Sequence, residues 1–145
     1  MTKDDDALAT FKSRFNCSQA VLSSFCEELG FDMQTALKVA AGFGGGIGRS
    51  GQTCGAVTGA IMVIGLKKGM SLPDPLKANE ITYGLSAEFL KRFRESHGST
   101  LCHDLLGCDI SNNEALMEAR EKRLFQTVCP KLVQDAVRMV GDMLQ

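Results

Sequence analysis

The chain has 145 residues, enough for one domain over residues 1–145 with a core of its own, so neither disulfides nor a metal is required for folding. Lys and Arg number 16 against 17 Asp and Glu, a formal net charge of −1. This excludes the basic field that draws a protein to nucleic acid or to an anionic membrane. Trp is absent and Tyr83 is the single tyrosine, so aromatic platforms for single-stranded nucleic acid are poor. The acidic start "MTKDDDALATF" lacks the positive region and apolar core of a secretory signal. The longest apolar run, Ala56 to Leu66, is shorter than the ~20 residues of a membrane span, so no membrane insertion is expected. The expected location is cytoplasmic. The six cysteines should there be mostly reduced, serving as core filler, metal ligands or redox groups rather than as three bridges.

Apolar residues recur at helical spacing along nearly the whole chain. Leu8, Phe11 and Phe15 form a first stripe. Asn16 can cap a second helix with the stripe Leu22, Phe25, Cys26 and Leu29, stopped by Gly30. Asp32 can cap a third, with Met33, Leu37, Ala40 and Ala41 inward. A glycine-rich segment follows, and a fourth helix is predicted from near Cys54 to Lys67 or Lys68. Pro75 suits the first position of a long helix carrying Ala78, Ile81, Leu85, Phe89 and Phe93 and ending at Gly98. Ser99 or Thr100 can cap a short helical turn that ends at Gly107. Ser111 and Glu114 have the spacing of a capping box, opening a charged helix through Phe125. Pro130 begins the last helix, with Val133, Ala136, Val137, Val140 and Leu144 inward. No alternating strand pattern stands out, so the expected fold is an all-α bundle of six or seven short helices with a glycine-rich loop.

That loop, "GFGGGIGRSGQTCG", admits two readings. Gly46, Gly48 and Gly51 match G-x-G-x-x-G, but the dinucleotide motif follows a strand, and here the helical stretch "TALKVAAGF" precedes it. The Walker pattern fails for want of its first glycine. Gly55 and Gly59 are expected to let another helix pack close.

The cysteines are Cys17, Cys26, Cys54, Cys102, Cys108 and Cys129, with no C-x-x-C among them. Cys17, Cys54, Cys102 and Cys129 each fall at a predicted helix start, where partial positive charge and free N–H groups favour a thiolate. Cys54 is therefore expected below the free thiol value of about 8.5, with Arg49 and His103 adding positive charge near Cys54 and Cys102. Cys26 sits in an apolar stripe and reads as core. Cys108 follows the helix-stopping Gly107. His97 reads as a partner of its own helix's C-terminus, and His103 as a weak candidate ligand or base.

The motif Cys54-Gly55-Ala56-Val57-Thr58-Gly59 and the lead-in "NCSQAVLSSF" carry a resemblance over essentially the whole chain. The sequence resembles the C_GCAxxG_C_C family, small bacterial and archaeal proteins regarded as redox-active and defined by four cysteines. The resemblance makes Cys17 the first family cysteine and Cys54 the second, and leaves Cys102, Cys108 and Cys129 for two downstream places. It implies redox or metal chemistry, since related domains fused to cytochromes carry suspected iron–sulfur ligands.

The leading expectation is thus a redox module in which Cys17, Cys54, Cys102, Cys108 and Cys129 supply the thiolates for an iron–sulfur cluster or zinc. Gly45, Gly46, Gly48 and Gly55 would give backbone N–H groups to the site. A second reading is a metal-free thiol–disulfide oxidoreductase or sensor with Cys54 as the attacking thiol. A third is a helical partner-binding domain with incidental cysteines. The redox partner and assembly into homo-oligomers stay open.

Overall fold

The computed structural model describes residues 2–145, and it is helical. α1 (Lys3–Lys12) begins at Thr2, whose hydroxyl accepts from the Asp5 N–H. α2 (Cys17–Ser23) begins at Asn16 in a full capping box, with Gln19 returning the bond to the Asn16 N–H. α3 (Cys26–Leu29) closes on left-handed Gly30. α4 (Met33–Val39) is capped by Asp32 and followed by a 3-10 turn, Ala41–Phe43. The glycine turn α5 (Gly44–Ile47) leads to α6 (Gly55–Lys68) and to the long α7 (Pro75–His97), which ends at left-handed Gly98. α8 (Cys102–Leu106), α9 (Asn113–Glu121), α10 (Leu124–Thr127) and α11 (Cys129–Met143) complete the chain. Seven of these helices reach seven residues or more; the others are about one turn each. Among the described residues no helix is long and apolar enough to cross a membrane.

α6 is the central helix. It is small or apolar on nearly every side, the mark of a helix enclosed by others, and it packs on α2, α7 and α11. Its Gly59 lies so close to α2 that a Cβ there would stand 2.9 Å from the Ser18 carbonyl oxygen and 3.0 Å from Val21 Cβ. Phe89 and Phe93 of α7 stack with ring centroids 5.9 Å apart and fill the main core with Val133, Val137 and Val140 of α11. α1 lies along α11 and is tied to it by Asp4, which accepts from Arg138 Nε and Nη2 at 2.8 Å each. A second, smaller core joins Leu106, Ile110, Leu116 and Ala119 with Cys102 and Cys129. Cys17 packs against both cores, so it stands at their seam.

Several expectations need correction. The second helix does not run unbroken to Leu29. The Ser23 and Ser24 hydroxyls donate to the carbonyls of Ala20 and Val21, and such back-bonding competes with the helix ladder. Of the face expected for the third helix, Ala40 is buried and Leu37 half-buried, but Met33 is 50% exposed and Ala41 is exposed, and Ala36 is buried in α4 instead. Ile81 also points outward, at 38% exposure. The box at Ser111 does not form. Asn112 caps α9 through the N–H groups of Glu114 and Ala115, and Ser111 turns back to Asp109. Arg123, at φ 57°, then splits the expected helix into α9 and α10.

The packing of α6 on α2 makes a matched test. Gly59→Ala should lower stability by about 1–3 kcal/mol, because backbone as well as side chain must move. Gly65→Ala, on the same helix with open space beside it, should leave stability unchanged or raise it by up to about 1 kcal/mol. Denaturant midpoints of the two variants check this.

Candidate functional site

The site is assembled from helix beginnings. At α2, the capping box holds Asn16 in extended backbone and places Cys17 first in the helix. The same two capping residues reach outward. Asn16 Nδ2 donates to the Ala41 carbonyl at 3.0 Å, and Gln19 Nε2 to the Leu37 carbonyl at 2.9 Å. The chain leading into the glycine turn is therefore tied over the start of α2. At α6, Cys54 is the capping residue, and Gly55 beside it is required by proximity. A Cβ on Gly55 would stand 2.9 Å from the Ser18 nitrogen and 3.0 Å from Cys17 Cβ. The first two cysteines come together because the residue between them has no side chain.

Cys102 arrives by a different route. Residues 51–54 lie antiparallel to residues 100–103 through an isolated bridge at Thr53 and Leu101. The Cys54 N–H donates to the Thr100 carbonyl at 2.8 Å, the Cys102 N–H to Gln52 at 2.6 Å, and the His103 N–H to Gly51 at 3.1 Å. Cys129 is the first residue of α11, with Pro130 second, where proline's missing N–H costs no helical bond.

The glycine segment is an ordered turn of unusual hand. Gly45, Gly46, Ile47, Gly48 and Arg49 all have φ between 60° and 68°. L-residues rarely adopt this hand, at a cost of about 1–2 kcal/mol each, which falls here on Ile47 and Arg49. Long backbone bonds fasten it: Gly48 to Gly42, Arg49 to Gly44, Gly51 to Gly45 and Gln52 to Gly46, with the Ser50 hydroxyl donating to the Gly46 carbonyl at 2.7 Å. Any Cβ on Gly46 would stand 2.6 Å from Cys102 Cβ. The turn is thus pressed against the third cysteine as Gly55 is against the first.

These elements surround a cavity of about 510 Å³. Cys17, Cys54, Cys102 and Cys129 line it, together with Gly45, Gly46, Gly48 and Gly55. Cys108 does not; it is half-buried against the smaller core, although its charge is felt at Cys102. Cys26 lies elsewhere, buried in the main core with Sγ 3.7 Å from the Leu22 carbonyl. His103 is exposed beside Asp104 and is not part of the lining. His97 lies in the last turn of α7, packs on the Phe93 ring and stands 3.2 Å from Asp135.

The electrostatics reverse one expectation. Burial pushes the Cys54 thiol up to about 11, although the N–H groups of Ala56 and Val57 pull it down. The helix start acts on Cys54, but desolvation of the thiolate is the larger effect. Burial likewise pushes Cys102 up to about 12. The thiol with the lowered value is Cys129, because the neighbouring Cys17 thiol favours its thiolate. Cys17 is pushed well above its ordinary value by the same neighbour and by burial. The two titrations are linked, so the first deprotonation belongs to the pair. The sequence held no sign of this pairing, nor of the left-handed run or of Arg120 in the cavity wall. Density of glycine before Cys54 was the nearest signal for the run.

The family model described as "Putative redox-active protein (C_GCAxxG_C_C)" matches residues 15–143. The chain belongs to the C_GCAxxG_C_C family. The match begins just before Cys17 and reaches past Cys129, so it takes in every thiol of the cavity. The chain is also similar to an uncharacterized protein of Archaeoglobus fulgidus, at 29% identity over 134 residues, 88% of this chain and 85% of that relative. No solved structure matches.

The raised thiols make stability depend on pH. Their folded values exceed the unfolded value of about 8.5, so their contribution is intact below that pH and is lost as pH climbs toward their folded values. Reduced protein should therefore lose stability between pH about 8.5 and 11. A Cys54→Ala, Cys102→Ala chain should show a shallower decline in the same denaturation series.

Proposed function

We propose that this member of the family is a two-electron thiol–disulfide centre in which Cys17 and Cys129 are the exchanging pair. What supports this reading is their placement together at the seam of the two cores and on the wall of one cavity, where the pairing lowers Cys129 and raises Cys17. Cys129 holds the more acidic thiol and attacks a disulfide sulfur; Cys17 then resolves the mixed disulfide by attacking Cys129 Sγ. Cys54 and Cys102, held protonated by burial, flank the pair. This reading moves the attacking role from Cys54, where the sequence put it, to Cys129.

A second reading is favoured by the count of thiols on the cavity. Cys17, Cys54, Cys102 and Cys129 are the donor set of a four-thiolate iron–sulfur cluster or of zinc, and a cluster there would supply one-electron transfer. Among the described residues no group of three or more His, Cys, Asp or Glu side chains is gathered closely enough to hold a metal ion. Binding would therefore require the four helix starts to draw inward.

Mild oxidation of the reduced chain, followed by non-reducing peptide mapping, tests the first reading. The expected product is a Cys17–Cys129 disulfide, with Cys26 and Cys108 left free. Cys26→Ala should preserve the product, while Cys17→Ser or Cys129→Ser should abolish it. Oxidation that joins Cys54 to another cysteine first would overturn the assignment. Iron with acid-labile sulfide in anaerobically purified protein, lost in Cys54→Ser, would favour the second reading.

A further inference from the structure

The thiols account for one part of the cavity wall. The remainder is apolar, from Phe11, Leu105 and Ile110 among others, except for Asn16 and two exposed arginines, Arg49 and Arg120. No Asp or Glu lines the cavity. In a chain of net charge −1 this is a local excess of positive charge beside one space. Neither arginine pairs with a carboxylate among the described residues, although eight ion-pair contacts form elsewhere.

Arg49 is held in place at a cost. Its backbone is left-handed, at φ 63°, and its side chain lies over the turn so closely that a Cβ on Gly45 would stand 2.7 Å from Arg49 Cγ. Glycine at residue 45 is what lets the arginine stem cross the turn. Strain of this kind persists where surrounding structure enforces it and is concentrated at ligand sites. Arg120 comes from α9, a separate part of the chain.

From these observations we infer that the cavity takes a low-molecular-weight anionic disulfide, with its carboxylate or similar oxyanion groups held by Arg49 and Arg120 and its apolar stems against the cavity wall. This substrate class rests on the thiol–disulfide reading above. The volume, about 510 Å³, suits a small organic molecule. Guanidinium is the side chain best matched to a carboxylate. In the reaction Cys129 Sγ attacks one sulfur of R–S–S–R. The substrate S–S bond breaks, a Cys129–S–S–R bond forms, and the first thiol leaves with one proton. Cys17 Sγ then attacks Cys129 Sγ and releases the second thiol with the other proton. One disulfide is reduced to two thiols while the cysteine pair is oxidised to a disulfide.

A thiolate by itself repels an anionic disulfide, so a preference for one is diagnostic. Reduced protein is mixed at low ionic strength with 3,3′-dithiodipropionate (anionic), 2-hydroxyethyl disulfide (neutral) or cystamine (cationic). Each rate of Cys17–Cys129 formation is divided by that of 2-mercaptoethanol with the same disulfide. The normalised rate should favour the anion over cystamine by about tenfold or more and fall with added salt. Arg49→Gln, Arg120→Gln should erase the preference, and Arg49→Lys, Arg120→Lys should keep most of it. Equal or faster reaction with cystamine, or a preference that survives in the glutamine chain, would overturn the inference.

A binding arm separates this result from failure of the thiol pair. The thioether 3,3′-thiodipropionate carries the same two carboxylates and cannot exchange. It should bind by calorimetry to the wild-type chain and not to the glutamine chain. Absence of any Cys17–Cys129 product from all three disulfides would defeat the pair assignment alone. Absence of thiodipropionate binding would defeat the ligand class.

Discussion

The structure depends on how closely α6 can lie against α2. Gly55 and Gly59 both meet backbone of α2 at distances no Cβ tolerates, and they set the approach at two successive turns of α6. Cys17 and Cys54 are brought to one place as a consequence, because each occupies the beginning of its helix. The capping box at Asn16 then ties the chain before the glycine turn across the same point. The left-handed turn returns the chain to residues 51–54, whose pairing with 100–103 delivers Cys102. The motif C-G-A-x-x-G is thus a packing device first. Its glycines bring helix starts together, and its cysteine shares the space so made.

Convergent helix starts usually suggest acidic thiols. Here two effects oppose each other, and burial is the larger for Cys54 and Cys102. Cys129 escapes because its neighbour Cys17 favours the thiolate by more than burial opposes it. The chemistry that follows belongs to a pair, with Cys17 both lowering its neighbour and standing ready to resolve it. Arg49 and Arg120 line the same cavity and add positive charge beside the pair.

Much of this was legible in the sequence where the signal was local. The helix stops at Gly30 and Gly98, the start at Pro75 and the caps at Asn16 and Asp32 stand where the pattern put them. Those signals rest on φ preferences and single hydrogen bonds that need no tertiary partner. Local ambiguity explains the errors nearby: Asn112 took the cap from Ser111, and Arg123 adopted a backbone hand that no pattern advertises. Cys17, Cys54, Cys102 and Cys129, read at helix starts, line one cavity, while Cys108, which the sequence grouped with them, stands off it. What lay beyond reach was set by distant packing. Which thiols pair, which way desolvation tips Cys54, and that an arginine from α9 lines the cavity are properties of the assembled chain.

The central claim is that the neighbouring Cys17 thiol makes Cys129 acidic. The direct measurement is the thiolate titration of Cys129, followed by site-resolved alkylation in the reduced chain and in Cys17→Ala. The account predicts that Cys129 titrates below an ordinary thiol in the first and above it in the second, where burial acts without its partner. A Cys129 that titrates alike in both chains would contradict it.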